Sequence, residues 1–421
     1  MRILHTSDWH LGRMLLGLSR QDEHDRFLDW LAVTLRQHAV DVLLVAGDVF
    51  DTTTPPHGAQ RQYFAFLDRV AGTICRHVVI IAGNHDSPSF LEAPQGLLRS
   101  RNVHVVGLAQ DPADHVLVLE DACGSPELIV CAVPYLRDGD IRTVTADEGI
   151  ADKEHKRTAG IRRHYEAVTA LAREKRQALG GQLPMVAMGH LFTTGGRTIE
   201  GDGVRELYVG ALGHVSASLF DPCFDYVALG HLHVPQQVGD SGLIRYSGSP
   251  LPMGFAEAEQ QKSVCLITLS AATPRVELLD IPRFRTIKRI RGDWAAIEAQ
   301  LEALNAVARQ TGEVLLEVIY DGPEILGDHD LGARLEGLCG PGVRILAQVD
   351  MRRKEALLAQ GLGHEGVDAL SEQEVFARLL EARNIPQAQR CGLEEAFLEI
   401  LREMHESAEQ GGLGENPQAA L

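Results

Sequence analysis

The sequence predicts a layered α/β fold, and three observations carry the prediction. Five apolar runs of strand length end the same way, each running out into residues of metal-ligand type. Ile3-Leu4 leads to Asp8-x-His10, Val42 to Ala46 to Gly47-Asp48-Val-Phe-Asp51, and Val78 to Ala82 to Gly83-Asn84-His85-Asp86. Met185 to Met188 leads to Gly189-His190, and Tyr226 to Leu229 to Gly230-His231-Leu-His233. The runs are continuous rather than alternating, the mark of strands buried on both faces. Between the first two, Phe27, Leu28, Leu31, Ala32 and Leu35 recur at helical spacing, so this unit reads strand, helix, strand.

Such an arrangement gathers ligands beyond the carboxyl ends of the strands. Residues two apart in an extended segment share a face, so the carboxylate of Asp8 and the imidazole of His10 can grip one cation. Glycine directly before the ligand, at Gly47, Gly83, Gly189 and Gly230, lets the backbone turn sharply and approach a bound group closely.

The chain has 421 residues, 45% of them hydrophobic and 23% charged, enough for two or three globular domains. No early apolar stretch has the length of a signal peptide or membrane span, which predicts a cytoplasmic protein. Seven scattered cysteines without a C-x-x-C pair fit reduced thiols. A formal net charge of -18 argues against holding nucleic acid by unaided phosphate neutralisation, which needs clustered Lys and Arg. A polyanionic substrate must be held locally, by metals, a basic patch or a partner.

In chain order, Gln21 to His38 is the first helix. After Pro55-Pro56, Tyr63, Phe64, Phe66, Leu67 and Val70 form an apolar stripe that reads as core, with Tyr63 and Phe66 alternatively feeding a dimer interface. Ser87-Pro88 looks like a helix start. Shorter strands follow at Val103 to Val106, Val116 to Leu119 and Leu128 to Val133. Asp152 to Leu179 reads as one solvated helix, its basic residues interleaved with acids. Leu243 to Ser247 and Ser263 to Leu269 read as a closing strand pair, with Gly248-Ser249-Pro250 as a turn able to approach the site. From Phe284 the order is basic strand, helix (Trp294 to Arg309), strand (Glu313 to Tyr320), helix (Leu331 to Leu338) and strand (Val343 to Val349), a small separate α/β domain. Its entry, Arg283-Phe-Arg285-Thr-Ile-Lys288-Arg289-Ile-Arg291, is the most basic run of the chain, readable as a solvated strand face or as phosphate contacts. Ser371-x-x-Glu374 is a capping box opening a helix that Pro386 ends, and a second helix carries Leu393, Phe397, Ile400, Leu401 and Met404. Two helices this short need something to dock on. The expected boundaries are 1–280 for the site-bearing domain, 283–350 for a cap, 370–405 for a helical hairpin and 406–421 for a disordered tail.

The set Asp8-x-His10, Gly47-Asp48-x-x-Asp51, Gly83-Asn84-His85-Asp86, Gly189-His190 and Gly230-His231-x-His233 resembles the motif series of the calcineurin-like metallophosphoesterases. The flanking residues, including Met1 to Gly12 and Val45 to Asp51, are similar to the bacterial DNA-nuclease subunits of that family. The resemblance implies a layered β-sandwich with flanking helices and two divalent ions, most suitably manganese. Asp48 would bridge the ions, with Asp8, His10 and His233 on one and Asn84, His190 and His231 on the other. It makes His85 the acid that protonates the departing sugar oxygen, with Asp51 pairing with it; the eukaryotic and archaeal relatives tend to carry histidine at that position. Asp86 and Ser249 are implied as supporting residues, and His24, His57, His164 and His214, with no motif around them, read as surface or satisfied core histidines.

The implied activity is metal-dependent phosphodiester hydrolysis in DNA, exonuclease on double strands and endonuclease on single strands and hairpins, in repair, recombination or replication. The implied partners are a coiled-coil ATPase, received by the C-terminal helices, and a second copy of the chain within a heterotetramer. With no Gly-x-x-x-x-Gly-Lys phosphate loop here, ATP hydrolysis must come from elsewhere. The alternative is a phosphoesterase acting on small nucleotides or phosphoproteins. Against it, the protein phosphatases carry Asp-Arg-Gly where this chain has Asp51-Thr-Thr and Glu where it has Asp86, and small-nucleotide enzymes usually lack the added cap and tail.

Overall fold

The computed structural model describes residues 1–109, 111–141, 150–193, 215–239, 242–270, 273–323 and 328–352, and singly 380, 390, 393 and 397. The capping box at Ser371, the two C-terminal helices apart from those single residues, the tail and His214 lie outside the described residues. The chain divides into two compact units, of which the first holds Met1–Arg289, Ala306–Glu317 and Pro341–Ala347.

Two six-stranded sheets form the first unit. In one, the parallel strands Arg2–Thr6, Val42–Ala46, His77–Ile81 and Val103–Val106 lie side by side, and Ser263–Thr268 runs antiparallel against Arg2–Thr6. In the other, Pro126–Ala132, Met185–His190, Tyr226–Gly230 and Ile244–Tyr246 are parallel neighbours. The period of two along these strands sorts their side chains into layers. Ile3, Val42, Leu44, Val79 and Ile81 of the first sheet meet Val130, Val186, Met188 and Ala228 of the second in one buried cluster. Leu4, Leu43, Val45, Val78 and Ile80 point the other way, onto the helices Gln21–Gln37 and His57–Val70. On the far side Met185, Ala187, Val227 and Leu229 take the helix Ile150–Ala178. Both faces of every central strand are thus covered, which is why the runs carry no alternation; each such Val, Leu or Ile contributes about 1.5–3 kcal/mol.

Three expectations are refined by this packing. Tyr63 and Phe66 are buried within the chain against Phe50, Trp9 and the first sheet, so they are core. The helix Ile150–Ala178 is no purely solvated rod, because Ile161, Tyr165, Val168 and Ala172 form a buried stripe among its charges. The segments at Leu243 and Ser263 do not pair with each other. Ile244–Tyr246 joins Tyr226–Gly230 in the second sheet, while Ser263–Thr268 lies in the first between Arg2–Thr6 and the strand Arg275–Asp280, which the sequence reading missed. Only Val276 and Leu279, one on each face of Arg275–Asp280, are half-buried, and Arg275, Glu277, Leu278 and Asp280 are exposed, so its apolar signal is weak.

The elements from Thr286 on follow the expected order: Thr286–Gly292, the helix Trp294–Thr311, Val314–Tyr320, the helix Asp328–Glu336 and Val343–Asp350, with the strands in one three-stranded sheet. Within the second unit, the Arg334 guanidinium sits 5.5 Å over the Trp294 ring, and Asn305 ties Leu338 and Gly340. The basic run is internally neutralised. Arg285 pairs with Asp22 at 2.9 Å, Lys288 with Glu259 at 2.7 Å, Arg289 with Glu317, and Arg291 with Asp321 at 2.8 Å. Arg283 donates to the Glu259 carbonyl. Among the described residues no helix is long and apolar enough to cross a membrane.

Candidate metal centre

All of the residues expected at the site converge at the carboxyl ends of five strands, three from the first sheet and two from the second. Four of them hold left-handed backbone despite having side chains: Asp8 (φ 53°), His10 (φ 48°), Asp48 (φ 49°) and His231 (φ 102°). Strain of this kind costs on the order of 1–3 kcal/mol per residue and persists only where the surroundings impose it. Here they do. Asp8 N–H donates to Gly47 O and His10 N–H to Asp48 O, each at 3.0 Å, and His231 N–H donates to Asp8 Oδ1 at 2.9 Å.

The four glycines are fixed by space. A Cβ at Gly83 would lie 2.1 Å from Asp48 Oδ1, at Gly47 2.3 Å from His190 Nδ1, at Gly230 1.9 Å from Ala46 O, and at Gly189 2.3 Å from Tyr165 Oη. Asp86 clamps two of the loops, its carboxylate accepting from the N–H groups of Val49, Phe50 and Gly83. Burial, reinforced by Asp48, pushes this carboxyl up to about 6.

The side chains form two adjoining groups, Asp8 with His10 and His233, and Asp48 with His190 and His231. Asp48 joins them: its Oδ2 is 3.7 Å from His10 Nε2 and 3.3 Å from His190 Nε2, while its Oδ1 is held by the His85 N–H at 2.9 Å. Asn84 Oδ1 lies 3.0 Å from both His190 Nε2 and His231 Nδ1. His10 Nε2 and His233 Nε2 face each other at 3.3 Å.

This donor set fits a bound cation. His190 commits its Nδ1–H to Ala46 O at 2.9 Å, so its Nε2 carries a lone pair that points at two oxygen acceptors, Asn84 Oδ1 and Asp48 Oδ2. Acceptors facing acceptors repel unless a cation or proton lies between them. Accordingly, although burial opposes it, the Asp48 carboxylate raises His190 to about 9, and His190 and His10 in turn hold Asp48 well below the usual carboxylate range against its burial. Asp8, buried and beside Asp48, is pushed up to about 7. Burial, with His190, lowers His231 to about 3, and its Nε2 is buried without a hydrogen-bond partner. Mixed imidazole and oxygen ligation suits manganese, iron or zinc rather than calcium.

His85 sits at the edge of the cluster, its ring 4.9 Å from that of His10, and with His10 and Asp51 it makes a third, less buried grouping beside the other two. Its expected pairing with Asp51 takes a different form. His85 Nδ1–H donates to the Asp51 main-chain carbonyl at 2.9 Å, while the Asp51 carboxylate faces His10 Nδ1 at 3.2 Å and Arg13 at 3.0 Å. Burial raises the Asp51 carboxyl, but His10 and Arg13 outweigh it and hold the group at about 2. The physical reason is local: the turn after Asp48 carries the Asp51 carbonyl toward His85 and its side chain toward the loop of Arg13.

The turn at Gly248 reaches the site as expected: Ser249 N–H donates to His233 O at 3.1 Å. His24 is a core histidine whose Nε2 bonds Trp9 O while its Nδ1 is buried without a hydrogen-bond partner, and His164 pairs with His115. The sequence reading missed Arg13, Glu257 and Lys262. Arg13 lies three residues beyond His10, a proximity that could have drawn notice. Glu257 and Lys262, buried behind His233, lie in no motif and only the fold brings them there.

With this geometry established, comparison with known proteins is informative. The calcineurin-like phosphoesterase family matches residues 1–235, and the type 5 capsule protein repressor C-terminal domain matches residues 283–384. The chain is 37% identical over 405 residues to the SbcD subunit of the SbcCD nuclease of Escherichia coli strain K12, covering 95% of this chain and 98% of that one. The Rhodobacter capsulatus protein of the same name is 39% identical over 302 residues, 69% and 71% of the two chains. The Bacillus subtilis one is 35% identical over 271 residues, 63% and 66%.

Proposed function

The chain belongs to the calcineurin-like phosphoesterase family, among the SbcD subunits of the SbcCD nucleases, and from that premise we propose that it hydrolyses DNA phosphodiesters together with an SbcC-type ATPase. The observation that supports this most is the cluster of converging acceptors at Asp8, His10, Asp48, Asn84, His190, His231 and His233, a donor set that suits bound cations. In this reading Asp8, His10 and His233 would hold one divalent ion and Asn84, His190 and His231 the other, with Asp48 shared between them and manganese as the metal. Bound there, such ions polarise the phosphodiester and lower the pKa of the attacking water.

The remaining work falls to the protein. Asp48 Oδ1 is fixed by the His85 N–H, so its other oxygen stays directed between the two groups. His85, with Nδ1–H committed to the Asp51 carbonyl, delivers from Nε2 the proton that the departing sugar oxygen takes up, a step worth about 10²–10⁴ in rate. Asp51 acts through His10 rather than through His85, holding its Nδ1 side. With the basic run engaged in ion pairs, DNA is gripped largely through the ions and the partner. In our reading the hairpin at 370–405 provides the partner contact, and two copies of the chain enter the assembly.

The test is an assay of the purified chain with manganese on end-labelled double-stranded and hairpin DNA, beside His85→Ala, with a phosphopeptide and a cyclic nucleotide as controls. Cleavage of DNA that is lost in the variant is the expected result. Turnover of a control substrate with DNA left intact would assign the site to small phosphoesters or phosphoproteins instead.

A further inference from the structure

The two halves of the metal cluster are supported from behind by different chemistry. On the Asp8 side, His10 and His233 turn their Nε2 atoms toward each other and their Nδ1 atoms toward carboxylates, Asp51 at 3.2 Å and Glu257 at 3.8 Å. Each carboxylate is in turn matched by a cation. Arg13 lies 3.0 Å from Asp51, and Lys262 pairs with Glu257. On the other side, His190 is backed by the neutral Ala46 carbonyl; His231 Nε2, like His10 Nδ1, makes no hydrogen bond, but unlike it has no carboxylate within ion-pair distance among the described residues.

Glu257 and Lys262 are 0% and 4% exposed, a buried ion pair that costs several kcal/mol per ion in desolvation. Their position gives a reason for that cost. Lys262 Nζ donates to the His233 carbonyl at 2.9 Å and to Ser249 Oγ at 3.1 Å, while Glu257 stands behind the His233 ring. The pair therefore ties the His233 main chain through Lys262 and places the Glu257 carboxylate 3.8 Å from the imidazole, as an ion-pair neighbour rather than a hydrogen-bond partner. Glu257 is itself fixed by the Met253 N–H at 3.0 Å. A carboxylate on the far nitrogen of a ligating histidine sets its orientation and tautomer and makes it a stronger donor, and removing one typically costs 10–100-fold in metal affinity.

We propose that Glu257, held by Lys262, is a positioning residue for His233, and that with Asp51 behind His10 it makes the Asp8 side the tighter of two unequal metal positions. The inference rests on the two-ion reading of the site and deepens it.

The experiment is a manganese titration of the full chain, followed by calorimetry and by the electron paramagnetic resonance of the free ion. Wild type should bind in two steps. Glu257→Gln should weaken one step about 10–100-fold and leave the other in place, and Asp51→Asn should weaken that same step. Unchanged steps in Glu257→Gln, equal weakening of both, or the two variants acting on different steps would each overturn the proposal. A wild type that binds no manganese would overturn the two-ion reading itself. Should Glu257→Gln fail to fold, the double variant Glu257→Gln/Lys262→Met removes the carboxylate without leaving a buried charge unpaired, and the same titration decides.

Discussion

Two regions of this chain concentrate polar side chains, and they treat them in opposite ways. At the strand ends, carboxylates, an amide and imidazoles point their acceptors at one another and stay unreconciled within the protein. Along Arg283 to Arg291, every basic side chain finds a partner: four pair with carboxylates and Arg283 with a carbonyl. In sequence the strand ends pointed firmly to a metal site, while the basic run read equally as a solvated strand face or as phosphate contacts. Satisfaction separates them, because buried acceptors clustered against one another are costly unless a cation or proton joins them.

The sharpest test of that contrast is His85→Ala. His85 lies at the edge of the cluster and is no member of the two ligand groups built on Asp8 and Asp48, so its loss should cut turnover by about 10²–10⁴ while manganese binding and folding remain. A parallel loss of manganese binding would place His85 among the ligands and redraw the boundary between site and support. Truncation probes the far end of the chain. Deleting 370–421 should abolish association with the ATPase partner and spare manganese-dependent cleavage, as measured by co-purification and nuclease assay; a surviving complex would move the docking surface elsewhere.

Histidines outside the cluster show what burial means energetically. His5 bonds Tyr226 Oη and the Leu229 carbonyl, and His24 bonds Trp9 O; both are buried, and desolvation lowers each to about 3. Their folded pKa lies below the unfolded value of about 6.5, so the unfolded chain takes up protons first as pH falls. The stability they contribute is complete above about pH 6.5 and drains away toward pH 3, on the order of a few kcal/mol for the pair. Denaturant melts of the metal-free chain between pH 7 and 4 should record this slope. Replacing His24 with Gln should flatten it, and an unchanged slope would show that the metal cluster dominates acid unfolding.

The layered fold and the metal cluster were legible because each rests on a local signal. Continuous apolar runs state that both strand faces are covered, and glycine directly before a ligand states that no side chain fits there, as Gly83 and Gly230 bear out at 2.1 and 1.9 Å. What stayed hidden depends on contacts distant in sequence. Glu257 and Lys262 lie 24 and 29 residues from His233 in no recognisable spacing, and the strand Arg275–Asp280 has too few covered residues to stand out. Asp51 was located but its partner was not, since composition cannot say whether a turn presents carboxylate or carbonyl to a neighbour. The basic run stayed open between two readings for the same reason: its charge was visible, its counter-charges at Asp22, Glu259, Glu317 and Asp321 were not.

The smallest expected effect bears on that run. If its charges are structural, replacing Arg285 and Lys288 with Gln should cost about 1 kcal/mol in folding stability, because both are surface-facing pairs and only Glu23 behind Arg285 is buried. The same double variant should leave the dependence of DNA affinity on salt untouched, since a side chain already neutralised by a carboxylate releases no counterion from a phosphate. Were the run to contact the DNA backbone, the slope of log K against log salt would fall by about one for each residue removed. A fall of about two with stability unchanged would reverse the assignment, making the strand a phosphate-binding face whose carboxylates give way to DNA, and would leave the metal cluster as one of two places where this acidic chain meets its substrate.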